Sequence, residues 1–254
     1  MKPIILIYKI LRRLPFFRFL NVKILHGNLK GYKWGLNVSA FECLTGNYEP
    51  ETQKTFLKYI EPNNVVYDIG ANVGYFTLIA SNLTGKNGKV YSFEPLKKNI
   101  AILTTHIKIN NAHNVTLYDL AISDVNKKIT FTNSDNTSAN TYIPSSSMFK
   151  ISSTIEVQAR SLDDLLFNDN LLPPDFIKID IEGAEFDALK GAELLIKKYQ
   201  PIIYISTHEN HLIGVEESCK NFLSNHNYDL MLLSINDITP GIKDYIAKPN
   251  YEKA

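Results

Sequence analysis

The chain predicts an α/β domain organised on a doubly wound, mostly parallel sheet with helices on both faces. Three observations carry this. Val65-Val66-Tyr67-Asp68-Ile69 is a short β-branched run. It leads into Gly70 and Gly74, which flank Ala71-Asn72-Val73, and residues 75–83 then suit a helix. Strand, tight turn, helix is the opening of such a sheet. Further strand-like runs at residues 89–93, 114–117, 177–180 and 202–206 alternate with helical periodicity, the pattern of parallel pairing. The 254 residues, 44% of them hydrophobic, are enough for one sizeable core with a small N-terminal extension. We divide the chain into residues 1–45, a basic helix with short strands, and residues 46–254, the main domain.

Composition narrows the function. A formal net charge of +1 argues against a broad nucleic-acid-binding surface. Two distant cysteines, Cys43 and Cys219, argue against a disulfide framework or a zinc site and point to a reducing cytoplasm. No apolar run is long enough to span a bilayer.

In chain order, residues 1–25 carry Lys2, Lys9, Arg12, Arg13, Arg18 and Lys23, and no acid precedes Glu42. Ile4, Ile7, Leu11 and Leu14 recur at helical spacing, and Pro15 stops that helix. Peripheral contact of residues 1–20 with an anionic membrane is one reading. Packing on the domain itself or forming a homodimer contact are the others. Short strands follow, with turns at His26-Gly27-Asn28 and Lys30-Gly31. A helix is expected over residues 51–59, with Pro50 at its first position.

The ligand of the Gly-rich turn can be argued from its chemistry. A dinucleotide fingerprint places a middle glycine in G-x-G-x-x-G, so that backbone meets pyrophosphate. Here Asn72 replaces that glycine and Asp68 precedes the turn. An acid repels phosphate and suits a cation. S-adenosylmethionine carries an ammonium and a sulfonium and no phosphate. Glu94, at the end of the second strand in Ser92-Phe93-Glu94-Pro95, suits ribose hydroxyls in either a methyl-donor or an NAD site.

Later stretches sharpen the reading. Asp175-Phe176-Ile177-Lys178-Ile179-Asp180-Ile181-Glu182-Gly183-Ala184-Glu185 precedes Leu189-Lys190-Gly191-Ala192. Gly46-Asn47-Tyr48-Glu49-Pro50, Leu120-Ala121-Ile122-Ser123-Asp124, Ser161-Leu162-Asp163-Asp164-Leu165 and Tyr245-Ile246-Ala247-Lys248-Pro249 complete an ordered set. With the Asp68–Asn72 turn and Phe93-Glu94-Pro95, this chain resembles the FkbM family of S-adenosylmethionine-dependent methyltransferases. The resemblance covers residues 46–249. It implies a Rossmann-like class I methyltransferase fold, seven strands with the last antiparallel. It also implies O-methylation of a sugar, glycan or similar hydroxylated molecule, with S-adenosylhomocysteine as product. The donor would lie against Tyr48, Glu49, Asp68, Gly70, Ala71, Asn72, Gly74, Phe76, Thr77, Glu94, Pro95, Ala121, Ser123 and Asp180.

Residues 127–132 and 155–159 alternate as strands, and the Ser-, Asn- and Thr-rich stretch between them reads as a lid, a substrate loop or a disordered connection. Ser161 and Asp164 have capping-box form, which makes Asp163 and Asp164 helix-start acids. One helix is expected over residues 185–198 and another over 216–225, with strands at 228–233 and 244–247.

Methyl transfer needs a group that takes the acceptor's proton. Asp180 either orients the donor's ammonium or acts on the acceptor side. Glu182 is a second candidate, or a partner of the following helix N-terminus. His208 stands where family members often carry Glu, and its ordinary pKa suits a base. Mg²⁺ held by Asp180, Glu182 and His208 is the lesser route. A nucleic-acid methyltransferase and an NAD-dependent oxidoreductase are the alternative functions. The acidic Asp180-Ile181-Glu182-Gly183 disfavours the first and Asn72 the second.

Overall fold

A computed structural model describes residues 20–36, 38, 41–132, 154–236 and 239–251. The amphipathic helix expected at the N-terminus and the expected lid at 133–153 lie outside the described residues.

The central sheet is assembled from runs that bury both faces. Its strands are β3 (Val65–Ile69), β4 (Lys89–Phe93), β5 (Val115–Tyr118), β9 (Phe176–Ile179), β10 (Ile202–His208), β11 (Tyr228–Ile235) and β12 (Ile242–Pro249). Their order is β11-β12-β10-β9-β3-β4-β5. β3, β4, β5, β9 and β10 pair in parallel, whereas β12 runs antiparallel to both β10 and β11. The order turns back between β3 and β9, so the ends of these strands open a crevice where ligands bind in such sheets.

Side-chain alternation feeds two cores. Tyr67, Ile69, Ile177 and Ile179 face one layer. That layer includes Leu165 of α5 (Leu162–Asn168), Leu189 of α6 (Glu185–Lys190), Leu195 of α7 (Glu193–Tyr199) and Cys219 of α8 (Val215–Asn225). Val66, Val90 and Phe176 face the other, with Cys43 of α1 (Phe41–Thr45), Phe56 of α2 (Pro50–Tyr59) and Ile79 of α3 (Tyr75–Thr84). The α4 helix (Lys97–Ile109) buries Leu103. Each fully buried side chain of this size contributes about 1.5–3 kcal/mol by leaving water.

The extension contributes the hairpin β1 (Asn21–Lys23) and β2 (Lys33–Gly35). It shares the second core through Ile24, Leu29 and Trp34. Trp34 stacks on His106 at 3.9 Å. His106 Nε2 accepts the Gly35 N–H at 3.1 Å while Nδ1 donates to the Val73 carbonyl at 2.7 Å. That is the neutral tautomer, and burial pushes its pKa down to about 4. The extension is thereby tied to the Gly-rich turn.

Three local expectations change. Residues 41–45 form α1, too short for periodicity to reveal. The helix expected over 185–198 is two, because Gly191 packs where a Cβ would stand 2.0 Å from the Ser123 carbonyl. Asp163 then accepts the N–H groups of Leu194 and Leu195 at 2.9 and 2.8 Å and starts α7 afresh. Finally, β6 (Ala121–Ile122), β7 (Lys128–Thr132) and β8 (Thr154–Arg160) form a separate small sheet. Ser161 caps α5 as its sequence suggests, accepting the Asp164 N–H at 3.1 Å.

Candidate active site

A cleft of about 350 Å³ lies at the ends of β3, β4, β9 and β10. Its first wall is the β3–α3 turn. Gly70 and Gly74 have φ of +78° and +94°, conformations that tax any residue with a Cβ. A Cβ on Gly70 would meet the Asp180 carbonyl at 2.0 Å, and one on Gly74 would meet Leu103 Cδ1 at 2.2 Å. Both glycines therefore serve close packing of the chain on itself.

The tip of β4 supplies Glu94, which is buried. Its Oε2 accepts the Asn72 N–H at 2.8 Å. Its Oε1 accepts the Leu96 N–H at 3.0 Å and Asn99 Nδ2 at 3.1 Å. Burial pushes the Glu94 pKa up, against the pull of these bonds. The side-chain oxygens of Asn72 and Asn99 are buried and have no hydrogen-bond partner, and both residues line the cleft. Buried acceptors left unpaired are costly, so this wall is short of donors.

The tip of β9 carries the charge. Lys178 sits directly opposite Asp68 across the β3–β9 pair. Its ammonium, almost fully buried, lies 3.4 Å from Asp68 Oδ1 and 3.3 Å from Asp180 Oδ2 and donates to the Gly70 carbonyl at 3.2 Å. Burial opposes this charge, but Asp180 and Asp68 outweigh it and hold the Lys178 pKa above its ordinary value. Burial likewise opposes the Asp180 carboxylate, and Lys178 and His208 hold its pKa below the usual range.

His208 ends β10 and is buried. Its Nδ1 donates to Glu185 Oε1 at 2.7 Å. Its Nε2 lies 3.7 Å from Asp180 Oδ1 and 3.6 Å from Glu182 Oε2. Burial works against its charge, yet Glu185, Asp180 and Glu182 together raise its pKa to about 9. These carboxylates hold His208 towards its charged form. Glu182 has φ +56°, a left-handed conformation. The Glu185 Oε1 that holds His208 also accepts the Gly183 N–H at 3.0 Å and so fixes the Glu182 turn. Burial pushes the Glu182 pKa up to about 7, with His208 pulling the other way.

All residues expected at the site line this cleft except Asp68 and Thr77. These two stand behind it: Thr77 Oγ1 donates to Asp68 Oδ2 at 2.5 Å, and Asp68 meets Lys178. Asp68 is thus paired with a lysine of the chain behind the cleft wall. Lys178, Asn99, Tyr204, Ser206 and Asp244 line the cleft and were not singled out in the sequence.

A family model described as the methyltransferase FkbM domain matches residues 68–230, more than half of the chain. The chain belongs to the FkbM methyltransferase family. The matched model is that of a methyltransferase domain. Among solved structures, methyltransferase FkbM from Methylobacillus flagellatus KT is similar at 20% identity and TM-score 0.53, over 77% of this chain and 50% of that one. This chain thus spans half the length of that relative. Precorrin-6y C5,15-methyltransferase from Geobacter metallireducens GS-15 is similar at 16% identity and TM-score 0.50, over 83% and 92% of the two chains. At such identities the likeness speaks for the fold. No curated protein matches in sequence.

The FkbM domain's cleft suits an adenosine donor. Its lining is rich in acceptors: the Glu94 carboxylate and the amide oxygens of Asn72 and Asn99. No group of three His, Cys, Asp or Glu among the described residues is arranged to hold a metal ion. No helix among the described residues is long and apolar enough to cross a membrane.

Proposed function

We propose that this methyltransferase acts on a hydroxyl group of a sugar, glycan or similar polyhydroxylated small molecule. The observation that carries the reading is Glu182. It sits in the cleft wall beside Asp180 and the His208 imidazolium, with its pKa pushed up to about 7. A carboxylate with that affinity for protons suits removal of a hydroxyl proton as the new oxygen–carbon bond forms. S-adenosylmethionine supplies the methyl on a sulfonium already activated for displacement. The protein's share is to orient the oxygen and to hold its proton on Glu182.

The rest of the cleft agrees. Glu94 and the Asn72 and Asn99 amides provide the ribose end, while Tyr48 packs edge-on against Tyr75 at 5.3 Å beside it. Glu49, Asp180, Glu182 and Asp244 line the cleft and disfavour a phosphate backbone. Lys178 and His208 hold the Asp180 carboxylate ionised, and Lys178 keeps Asp180 and the Gly70 turn in register. The experiment is transfer of an isotope-labelled methyl to a panel of neutral glycans, with mass spectrometry locating the label. Label on an acceptor oxygen is the expected result. Label on a nitrogen or carbon, or on RNA alone, would refute the hydroxyl assignment.

A further inference from the structure

The floor of the cleft continues past the charged tip of β9 onto β10 and β12. Side chains two apart on a strand share a face, so Tyr204, Ser206 and His208 of β10 stand in one row, and all three line the cleft. Ser206 lies directly opposite Asp244 of β12, which also lines the cleft. Residues so paired have Cβ atoms about 4.5–5.5 Å apart. Asp244 Oδ2 accepts the Ser234 hydroxyl at 2.5 Å. Among the described residues that is its one side-chain hydrogen bond, and no Lys, Arg or His pairs with it, so Oδ1 stays open. The neighbouring Lys243 turns instead to Glu216, at 2.9 Å. Ser206 is 4% exposed, and its hydroxyl makes no hydrogen bond among the described residues. The unpaired polar atoms that are sealed from solvent belong to other residues, so the Ser206 oxygen reaches the cleft. A buried hydroxyl left unpaired is costly. The Ser206 O–H needs an acceptor and Asp244 Oδ1 needs a donor, and one hydroxyl of a ligand answers both. The position says which ligand. In the order β4-β3-β9-β10-β12 the pair lies three and four strands from Glu94, about 14 and 19 Å at ordinary spacing. Glu182, beside His208 Nε2 at 3.6 Å, is one pleat beyond Ser206. Ser206 and Asp244 thus stand near the reacting groups, on the side away from the ribose end.

We infer that Ser206 and Asp244 form a subsite for a second hydroxyl of the acceptor, distinct from the hydroxyl that is methylated. That group donates to Asp244 Oδ1 and accepts from Ser206 Oγ. The acceptor is then a polyol with at least two free hydroxyls. Anchoring the second one decides which of several similar oxygens is presented to Glu182. An acceptor lacking it leaves Ser206 and Asp244 unanswered and is discriminated against. This rests on the reading that the cleft methylates a hydroxyl group.

The test is transfer of labelled methyl to the methyl glycosides of glucose, galactose, mannose and rhamnose and to their monodeoxy forms, by the unaltered protein, Ser206→Ala and Asp244→Asn. For a glycoside that is methylated, one monodeoxy form that keeps the methylated oxygen should lose about tenfold in kcat/KM with the unaltered protein. Each variant should lose about tenfold on the parent glycoside and almost nothing on that monodeoxy form. The ratio of the two substrates is read within one protein, so a change in the folded fraction does not move it. S-adenosylhomocysteine affinity, measured by calorimetry, should stay within about twofold in both variants. Equal loss on the parent and on every monodeoxy form would mean that the pair only holds water or shapes the cleft, and would overturn the inference. A tenfold loss of S-adenosylhomocysteine affinity would assign the pair to the donor's amino-acid end and overturn it too. No label on an oxygen of any glycoside with the unaltered protein would overturn the hydroxyl reading itself and this inference with it.

Discussion

Replacing Lys178 by Met leaves its volume and removes its charge. In the folded protein the ammonium lies between Asp68 and Asp180, at 3.4 and 3.3 Å, almost without access to water. Breaking a buried pair by deleting one partner costs about 3–5 kcal/mol, because the remaining charge stays buried without compensation. In a chain of this size, each kcal/mol moves Tm by about 2–4 °C, so Lys178→Met should melt roughly 6–20 °C lower near neutral pH. The pH dependence gives the sharper check. Asp180 has a depressed pKa in the folded protein, so it contributes stability above its unfolded value near 3.9 that is lost as pH falls through the folded value. Without Lys178 that contribution disappears. The gap between the two proteins should therefore be wide from neutral pH down to about 4 and narrow as pH falls below it. Thermal unfolding of both proteins by circular dichroism over that range is the assay. An unchanged Tm at neutral pH, or a gap that widens in acid, would refute the buried-charge argument.

Other consequences are open to direct test. His208 has a raised pKa, so its contribution is complete below the unfolded value of about 6.5 and is lost as pH rises through about 9. The unaltered protein should accordingly lose more Tm across that window than His208→Gln, and parallel melting curves would contradict a charged His208. Glu182→Gln should lower turnover on a hydroxyl acceptor about 10²–10⁴-fold while S-adenosylhomocysteine affinity stays within about twofold. Undiminished turnover would remove Glu182 as proton acceptor. Ser161→Ala deletes the α5 cap and should cost about 1 kcal/mol, read as a small fall in Tm with donor binding untouched. A large loss of donor binding would mean that α5 is coupled to the cleft.

Much of this architecture is local and therefore legible in the chain. The β3 run, the two glycines and the following helix announce themselves because backbone conformation and side-chain period depend on neighbours in sequence. The same holds for Ser161, three residues from the N–H it accepts. The charge pattern of the site is not local. Asp68 reads as a ligand-facing acid until β3 lies beside β9 and Lys178 is its cross-strand partner. Lys178 itself is one polar residue within Phe176-Ile177-Lys178-Ile179, and nothing in that run tells a buried ammonium from a solvated one. Glu185 looks like an ordinary helix-start acid. Only the fold sets it against His208 from 23 positions away, where it favours the charged form of that histidine. The break at Gly191 is of the same kind, since its cause is the carbonyl of Ser123, distant in sequence and just past β6.

The measurement that bears most directly on the account is calorimetric titration of the unaltered protein with S-adenosylmethionine and, separately, with NADH. Asn72 in place of a phosphate-facing glycine, the acceptors around Glu94 and the acidic far wall predict saturable binding of S-adenosylmethionine at one site per chain and no binding of NADH. Binding of NADH without binding of S-adenosylmethionine would contradict it.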